Sequence, residues 1–306
     1  MQKKEVTLTE DLMNRTYNYK KGFSAVAVVY TIWGFQPLYF SLDAQIDTAF
    51  LLAARIIWAA VSCLLILMIK GKATEVLTVF RDRKILKREL PAAVFLFADW
   101  ALYLYGIRTG RVQECAMGYY IMPLVMVMFG VLIFREKIRW QHLLSLGFII
   151  IGIVLSMKGF GGFPYLTVIL ALCFSVYSAI KKGLDVEPLV GTAAESLIMA
   201  PFAVLYILLF RTGQDGLSGL TFSRQLFLIG SGLVTAVPMV FFARVLSYLP
   251  LSLTGILQYV SPTLGIVCSL ILGEVLTREK LVSFSFIWVG IIIYSIFELK
   301  TSKNGS

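Results

Sequence analysis

The chain has 306 residues, of which 58% are hydrophobic and only 15% charged, and its mean hydropathy is +0.81. A water-soluble domain carries about 25% charged residues, and the polar residues here are too few to cover the apolar remainder, which excludes a soluble enzyme of one or two domains. The formal net charge of +10 therefore has to be explained by where the basic residues fall, before any nucleic-acid surface is invoked.

Residues 1–21 hold Lys3, Lys4, Arg15, Lys20 and Lys21 and are too polar for a signal peptide, so they read as a short cytoplasmic tail. A helix needs about 20 residues to cross the hydrocarbon layer, with a working range of roughly 17 to 25. Suitable stretches fall at 22–42, 49–69, 90–106, 116–134, 141–157, 163–180, 191–210, 226–246, 251–272 and 281–297. Some are short or carry a polar residue, so the range is eight to ten spans and ten the best count. The longest connections, 70–89 and 211–225, leave no room for an extramembrane domain. If ten spans alternate from a cytoplasmic amino terminus, 20 Lys and Arg lie on the cytoplasmic side, 7 on the other, and Arg55 lies inside a span. That is the positive-inside bias with both termini inside. The basic balance is a topology signal, and no nucleic-acid partner is expected.

Charges inside spans are costly in hydrocarbon, and each calls for a reason. Arg55 sits near the middle of the second span, either as a snorkelling or packing arginine or as a positive anchor in a central cavity. Asp99 and Trp100 follow in the third span. Desolvation disfavours a charged carboxylate, which suits Asp99 to exchanging a proton; satisfying a neighbouring Tyr, Trp or backbone group is the alternative. Glu195 opens the seventh span and, at a shift of about 140 residues, stands nearly where Arg55 stands. Opposite charges at such paired positions can compensate each other across a cavity, unless Glu195 is close enough to the interface to stay wet.

An internal repeat is the most informative feature. Residues 118–156 resemble 257–296: Tyr120 and Pro123 face Tyr259 and Pro262, each segment runs on to a glutamate, Glu136 or Glu274, and each places a glycine, Gly152 or Gly290, in the following span. A boundary near Lys158–Gly162 leaves five spans on each side, and an odd number makes the second half enter from the opposite face. Inverted repeats of this kind recur in secondary transporters, although a pore or a membrane enzyme can also arise by duplication. Pro123 and Pro262 each remove an intrahelical hydrogen bond and mark candidate hinges. Tyr120 and Tyr259, one turn earlier, are placed to line a cavity.

Catalytic signals are nearly absent. His142 is the single histidine, at the membrane edge of the fifth span, and no His and carboxylate cluster has metal-ligand spacing. Cys63, Cys115, Cys173 and Cys268 are scattered through apolar segments and read as small buried hydrophobes.

These residues carry a resemblance. Over almost all of 22–297 the chain resembles the EamA family of the drug/metabolite transporter superfamily, in its RarD-like branch. The match is closest at 237–290, with the Leu-Gln-Tyr-x-x-Pro-Thr core and the Gly273-Glu274 pair, and in the other half it includes Trp33-Gly34, Arg55, Asp99-Trp100 and Gly118 through Pro123. Departures fall around the expected cavity: Asp99, Arg108 and Met122 stand where the branch tends to have Asn, and Arg135 where it has Gly. The resemblance implies an all-α integral membrane protein of ten transmembrane helices in two inverted five-helix repeats, in a bacterial plasma or inner membrane with cytoplasmic termini. On the residues, the repeats run over 22–157 and 163–297, joined by a linker at 158–162 and followed by a tail at 298–306.

The expected function is secondary transport of a small polar or amphipathic metabolite or drug by alternating access, without cofactor, metal or catalysis. Arg55, Asp99, Tyr120, Glu195, Gln258 and Tyr259 are the expected substrate-site residues, and Asp99 and Glu195 the proton-coupling candidates. Membrane lipids and the substrate are the expected partners, with a homodimer as a candidate assembly. A non-transporting receptor or assembly protein and a membrane enzyme acting on a lipid-linked substrate are the alternatives.

Overall fold

The computed structural model describes residues 18–134, 140–159, 162–181, 184, 186–213, 216–248 and 257–304. Glu136 and its basic neighbours Arg135, Lys137 and Arg139 lie outside the described residues, as do most of the amino-terminal tail and the side chains of Pro123 and His142. Among the described residues the chain is helices and turns. In order these are α1 (Tyr19–Phe40), α2 (Thr48–Ile69), α3 (Glu75–Arg81), α4 (Arg83–Arg108), α5 (Val112–Phe134), α6 (Trp140–Gly159), α7 (Tyr165–Lys181), α8 (Pro188–Phe210), α9 (Phe222–Tyr248), α10 (Val260–Ile271) and α11 (Arg278–Asn304), with a 3-10 turn at Leu217–Gly219. Five of them, α1, α2, α4, α8 and α9, contain segments long and apolar enough to cross a membrane, and three shorter apolar helical segments lie at Leu143–Met157, Tyr165–Lys181 and Val260–Ile271. The protein is a multi-pass helical membrane bundle.

The helices start and stop for local reasons. Asn18 Oδ1 accepts the Lys21 N–H at 3.1 Å and Asp47 Oδ1 the Phe50 N–H at 2.9 Å, while Asp82 Oδ1 takes those of Lys84 and Ile85 at 2.7 and 3.3 Å. Each side chain satisfies a helix-start donor that has no partner within its own helix. The Asp82 cap starts α4 at Arg83, well before the apolar stretch at 90–106, so its first two turns are mostly exposed and charged. Gly110 and Gly273 sit in the tight turns after α4 and α10 at φ 69° and 86°, a conformation that costs a glycine little.

Contacts at helix ends fix the direction of each helix. The Asn18 N–H donates to the Tyr248 carbonyl, so α1 begins where α9 ends. Asp47 pairs with Arg211 at 2.9 Å and Lys72 with Glu187 at 3.0 Å, tying α2 and α8 together antiparallel at both ends. Arg108, at the end of α4, donates to the carbonyls of Phe40, Asp43, Ala44 and Ile46 and closes the turn between α1 and α2. Glu274 accepts from the N–H groups of Val112 and Gln113 at 2.5 and 3.1 Å, so the turn after α10 caps the start of α5. The pairings α2–α8, α5–α10 and α6–α11 join the two halves, as do the matched sets α1–α9 with α4–α7 and α1–α10 with α5–α7. These long-range contacts are repeat-like, whereas α3, packed on α4 and α8, has no counterpart among them.

The α6–α11 contact has the same reciprocity at atomic scale. A Cβ on Gly152 would lie 2.7 Å from Ile287 Cγ1, and one on Gly290 would lie 2.8 Å from Ile149 Cγ1. Ser283 Oγ also donates to the Gly152 carbonyl at 2.7 Å. Close backbone approach replaces the hydrophobic effect as the driving force between helices in lipid. Gly147, on the same helix, faces open space. Gly152→Val is expected to lower stability by about 1–3 kcal/mol through overpacking, read as a drop in melting temperature of the purified protein in detergent, while Gly147→Ala leaves it unchanged.

Candidate functional site

A cavity opens between the two halves, bounded by α1, α2, α4, α5, α7, α9 and α10. Its volume is about 70 Å³, several times the roughly 10–15 Å³ that one water requires. Its walls combine five aromatic residues with six polar or charged ones, among other apolar side chains. Arg55 and Asp99 both line it, although their residues are only 3% and 2% exposed.

Arg55 is held by three contacts. Its Nε donates to Thr235 Oγ1 at 2.8 Å, and that hydroxyl is oriented by donating to the Ser231 carbonyl at 2.9 Å. The guanidinium lies over the Trp100 ring at 4.4 Å and the Phe40 ring at 4.9 Å, which stabilises a partly desolvated cation. Its Nη1 has no hydrogen-bond partner. Asp99 takes a hydrogen bond on Oδ2 from the Tyr119 hydroxyl at 3.1 Å, and its Oδ1 has none. The two charged groups do not pair with each other. Each of these two lining residues thus keeps one buried polar atom, Nη1 of Arg55 and Oδ1 of Asp99, without a hydrogen-bond partner.

Pro262, in the first turn of α10, and Gln258, just before that helix, line the same cavity. Tyr120 and Tyr259 stack on each other at 6.1 Å behind it, across the junction of the halves. The Tyr120 hydroxyl lies 2.7 Å from Thr263 Oγ1 and accepts from Trp288 Nε1 at 3.0 Å. Since Thr263 already donates to the Tyr259 carbonyl at 2.8 Å, Tyr120 is the donor in that contact. Glu195 is elsewhere: it is buried beside Lys181, Glu89 and Tyr177 near the other end of α4. Among the described residues no group of three or more His, Cys, Asp or Glu could hold a metal ion.

The model of the EamA-like transporter family matches residues 20–158 and again 163–296. The chain belongs to the EamA-like transporter family. This EamA protein is 31% identical to the uncharacterized transporter YojE of Bacillus subtilis, over 93% of this chain and 96% of that one. It is 27% identical to protein RarD of Escherichia coli, over 94% and 98% of the two chains, and 30% identical to protein RarD of Streptomyces exfoliatus, over 92% and 89%. A crystal structure at 18% identity superimposes with a TM-score of 0.63 over 91% of this chain and 97% of the other, which is a likeness of fold. Together with the multi-span bundle, family membership makes this EamA protein a secondary transporter of a small polar or amphipathic molecule rather than an enzyme.

Sequence reasoning passed over several residues that the EamA fold brings to the cavity or its supports. Gln36 and Thr235 are uncharged polar residues inside apolar runs, and Gln36 Nε2 donates to the Val234 carbonyl at 3.1 Å. Glu89 and Lys181 were expected in connections, outside any span, yet Glu89 is fully buried. The only available signal is that each directly adjoins an apolar stretch, Glu89 just before 90–106 and Lys181 just after 163–180. Tyr119→Phe leaves the Asp99 carboxylate without its one hydrogen bond and is expected to lower stability by about 1–3 kcal/mol. Combined with Asp99→Asn the losses are expected to be non-additive in a double-mutant cycle, read by chemical denaturation in detergent.

Proposed function

We propose that this EamA protein works by alternating access as two inverted five-helix repeats, ten spans in all. The repeats run over 22–157 and 163–297 in a bacterial plasma or inner membrane with both termini cytoplasmic. Support comes from the antiparallel pairing of α2 with α8, their ion pairs at both ends, and the two successive matches to one family model. A bundle whose halves are interchangeable can close on either side of a shared site by nearly equivalent motions. Pro262, beside Gln258 at the cavity, and Pro123 are the hinges of that motion.

The substrate of this reading is a small zwitterion: an anionic group on Arg55, a cationic or strongly donating group on Asp99, and an apolar body against Trp33, Trp100 and Phe174. One observation carries it: Arg55 and Asp99 line one cavity, and each keeps a buried polar atom, Nη1 and Oδ1, without a partner. Two buried charges left incompletely bonded are costly, and a ligand of matching polarity restores both bonds at once. Tyr120 and Tyr259 shape the wall from behind, and Gln258 offers an amide that its weak contact to Met122 Sδ at 3.9 Å leaves available. A receptor without transport is disfavoured by a cavity lined by both Arg55 and Asp99 between exchangeable halves.

Thermal-shift binding with leucine, leucinamide and 4-methylpentanoate separates the charges. Leucine is expected to stabilise the purified protein, and the two single-charge analogues to bind roughly 10- to 100-fold more weakly, the worth of one charge-assisted hydrogen bond. Arg55→Met is expected to erase the preference for leucine over leucinamide, and Asp99→Asn that for leucine over 4-methylpentanoate. Equal binding of all three ligands contradicts the zwitterion reading.

A further inference from the structure

The second charged cluster of the bundle is buried and out of charge balance. Lys181 Nζ lies 2.6 Å from Glu89 Oε1 and 2.8 Å from Glu195 Oε1, which places the two carboxylates no farther apart than those distances combined. Both glutamates are fully buried, whereas the Lys181 side chain is 19% exposed. The Tyr177 hydroxyl donates to Glu195 Oε2 at 3.4 Å, and Glu89 Oε2 has no hydrogen-bond partner. Gly191 makes room for the arrangement: a Cβ there would lie 2.6 Å from Lys181 Nζ and 3.4 Å from Glu89 Oε1.

Among the described residues the titratable groups facing the cluster are few. From α7 come Tyr177 and Lys181, from α4 Glu89, from α8 Glu195 itself, and from α2 the buried thiol of Cys63. Arg88 donates to the Ile180 carbonyl at 3.0 Å, and Lys72 is engaged by Glu187 and Glu75 at the helix ends. One ammonium against two ionised carboxylates leaves a buried net charge of minus one, which burial disfavours. One added proton makes the cluster neutral and supplies a donor for a carboxylate oxygen that otherwise has no partner. Closely spaced carboxylates commonly share a proton for the same reason.

We propose that Glu89 and Glu195 share one exchangeable proton against Lys181, and that this is the site at which a proton gradient acts on the carrier. The proton comes from water at the exposed edge of Lys181 and binds one carboxylate oxygen; when the carrier faces the other way it leaves to water on the opposite side, and the cluster returns to a net negative charge. Glu89 and Asp99 lie ten residues apart on α4, about 15 Å along a helix that rises 1.5 Å per residue. Protonation therefore changes how tightly α4 is bound to α7 and α8, and the same helix carries that change to the substrate cavity. The coupling role rests on the carrier reading above, whereas the shared proton does not.

Infrared spectroscopy of the purified full-length protein reads the proton directly through the C=O stretch of a protonated carboxyl group. At neutral pH the expected result is a protonated-carboxyl component that Glu89→Gln and Glu195→Gln each remove, that Asp99→Asn leaves in place, and that Lys181→Met doubles. Persistence of the full band in both glutamine variants, or its absence from the parent protein, overturns the proposal. Size-exclusion profiles establish folding, and the two independent glutamine variants protect against the failure of either one. In proteoliposomes, leucine accumulation driven by a pH gradient is expected to lose its gradient dependence in Glu195→Gln. Absence of leucine counterflow in the parent protein contradicts the substrate reading and leaves the infrared result standing on its own.

Discussion

A charge inside a bundle surrounded by lipid has nowhere to go for solvation, and the architecture of this protein is organised around that constraint. Charges at the helix ends are paired: Asp47 with Arg211, Lys72 with Glu187 and Asp43 with Arg224. Exposed pairs of this sort contribute little individually to stability, but here they fix which helix end lies beside which. Deeper in the bundle the compensation is incomplete in two places only among the described side chains that carry full charge. One is Arg55 with Asp99, the other Glu89 with Glu195 and Lys181. Incomplete compensation is what a ligand or a proton can act on.

The rest of the structure holds these groups in place. Arg55 is clamped between Phe40 of α1, Trp100 of α4 and Thr235 of α9, so three helices from both halves share responsibility for one cation. Asp99 is held by α5 through Tyr119. Glu274 shows the same economy at the membrane edge: Gly273 takes a positive φ, the chain turns, and the carboxylate reaches two unpaired N–H groups at the start of α5. The Gly-Glu pair that stands out in the sequence is therefore a tie between helices of different halves, and has no direct part in the cavity.

Much of this was legible in the sequence because lipid imposes a simple rule on composition and length. The long apolar runs, the unusual Arg55 and Asp99 within them, and the match of Gly152 with Gly290 all follow from reading polarity along the chain. The paired positions of Arg55 and Glu195 were visible too, but not their separation. Helices α2 and α8 are antiparallel, so residues equally far from the two helix starts lie toward opposite faces, and Glu195 finds Lys181 rather than Arg55. Glu89 was hidden within a run of basic residues that resembles a solvated connection. Thr235 and Gln36 gave no warning, because a hydroxyl or amide in a span raises no electrostatic alarm until its partner is known.

The central claim is that the cavity beside Arg55 and Asp99 is a water-reachable substrate site inside the bundle. Ser261 lines it and is partly buried. The direct measurement is the rate at which a small charged thiol reagent, applied separately to each side of oriented membranes, modifies Ser261→Cys in a background without Cys63, Cys115, Cys173 and Cys268. Modification from either side, slowed by saturating leucine, is the predicted result. A folded protein whose Ser261→Cys thiol reacts from neither side contradicts the claim.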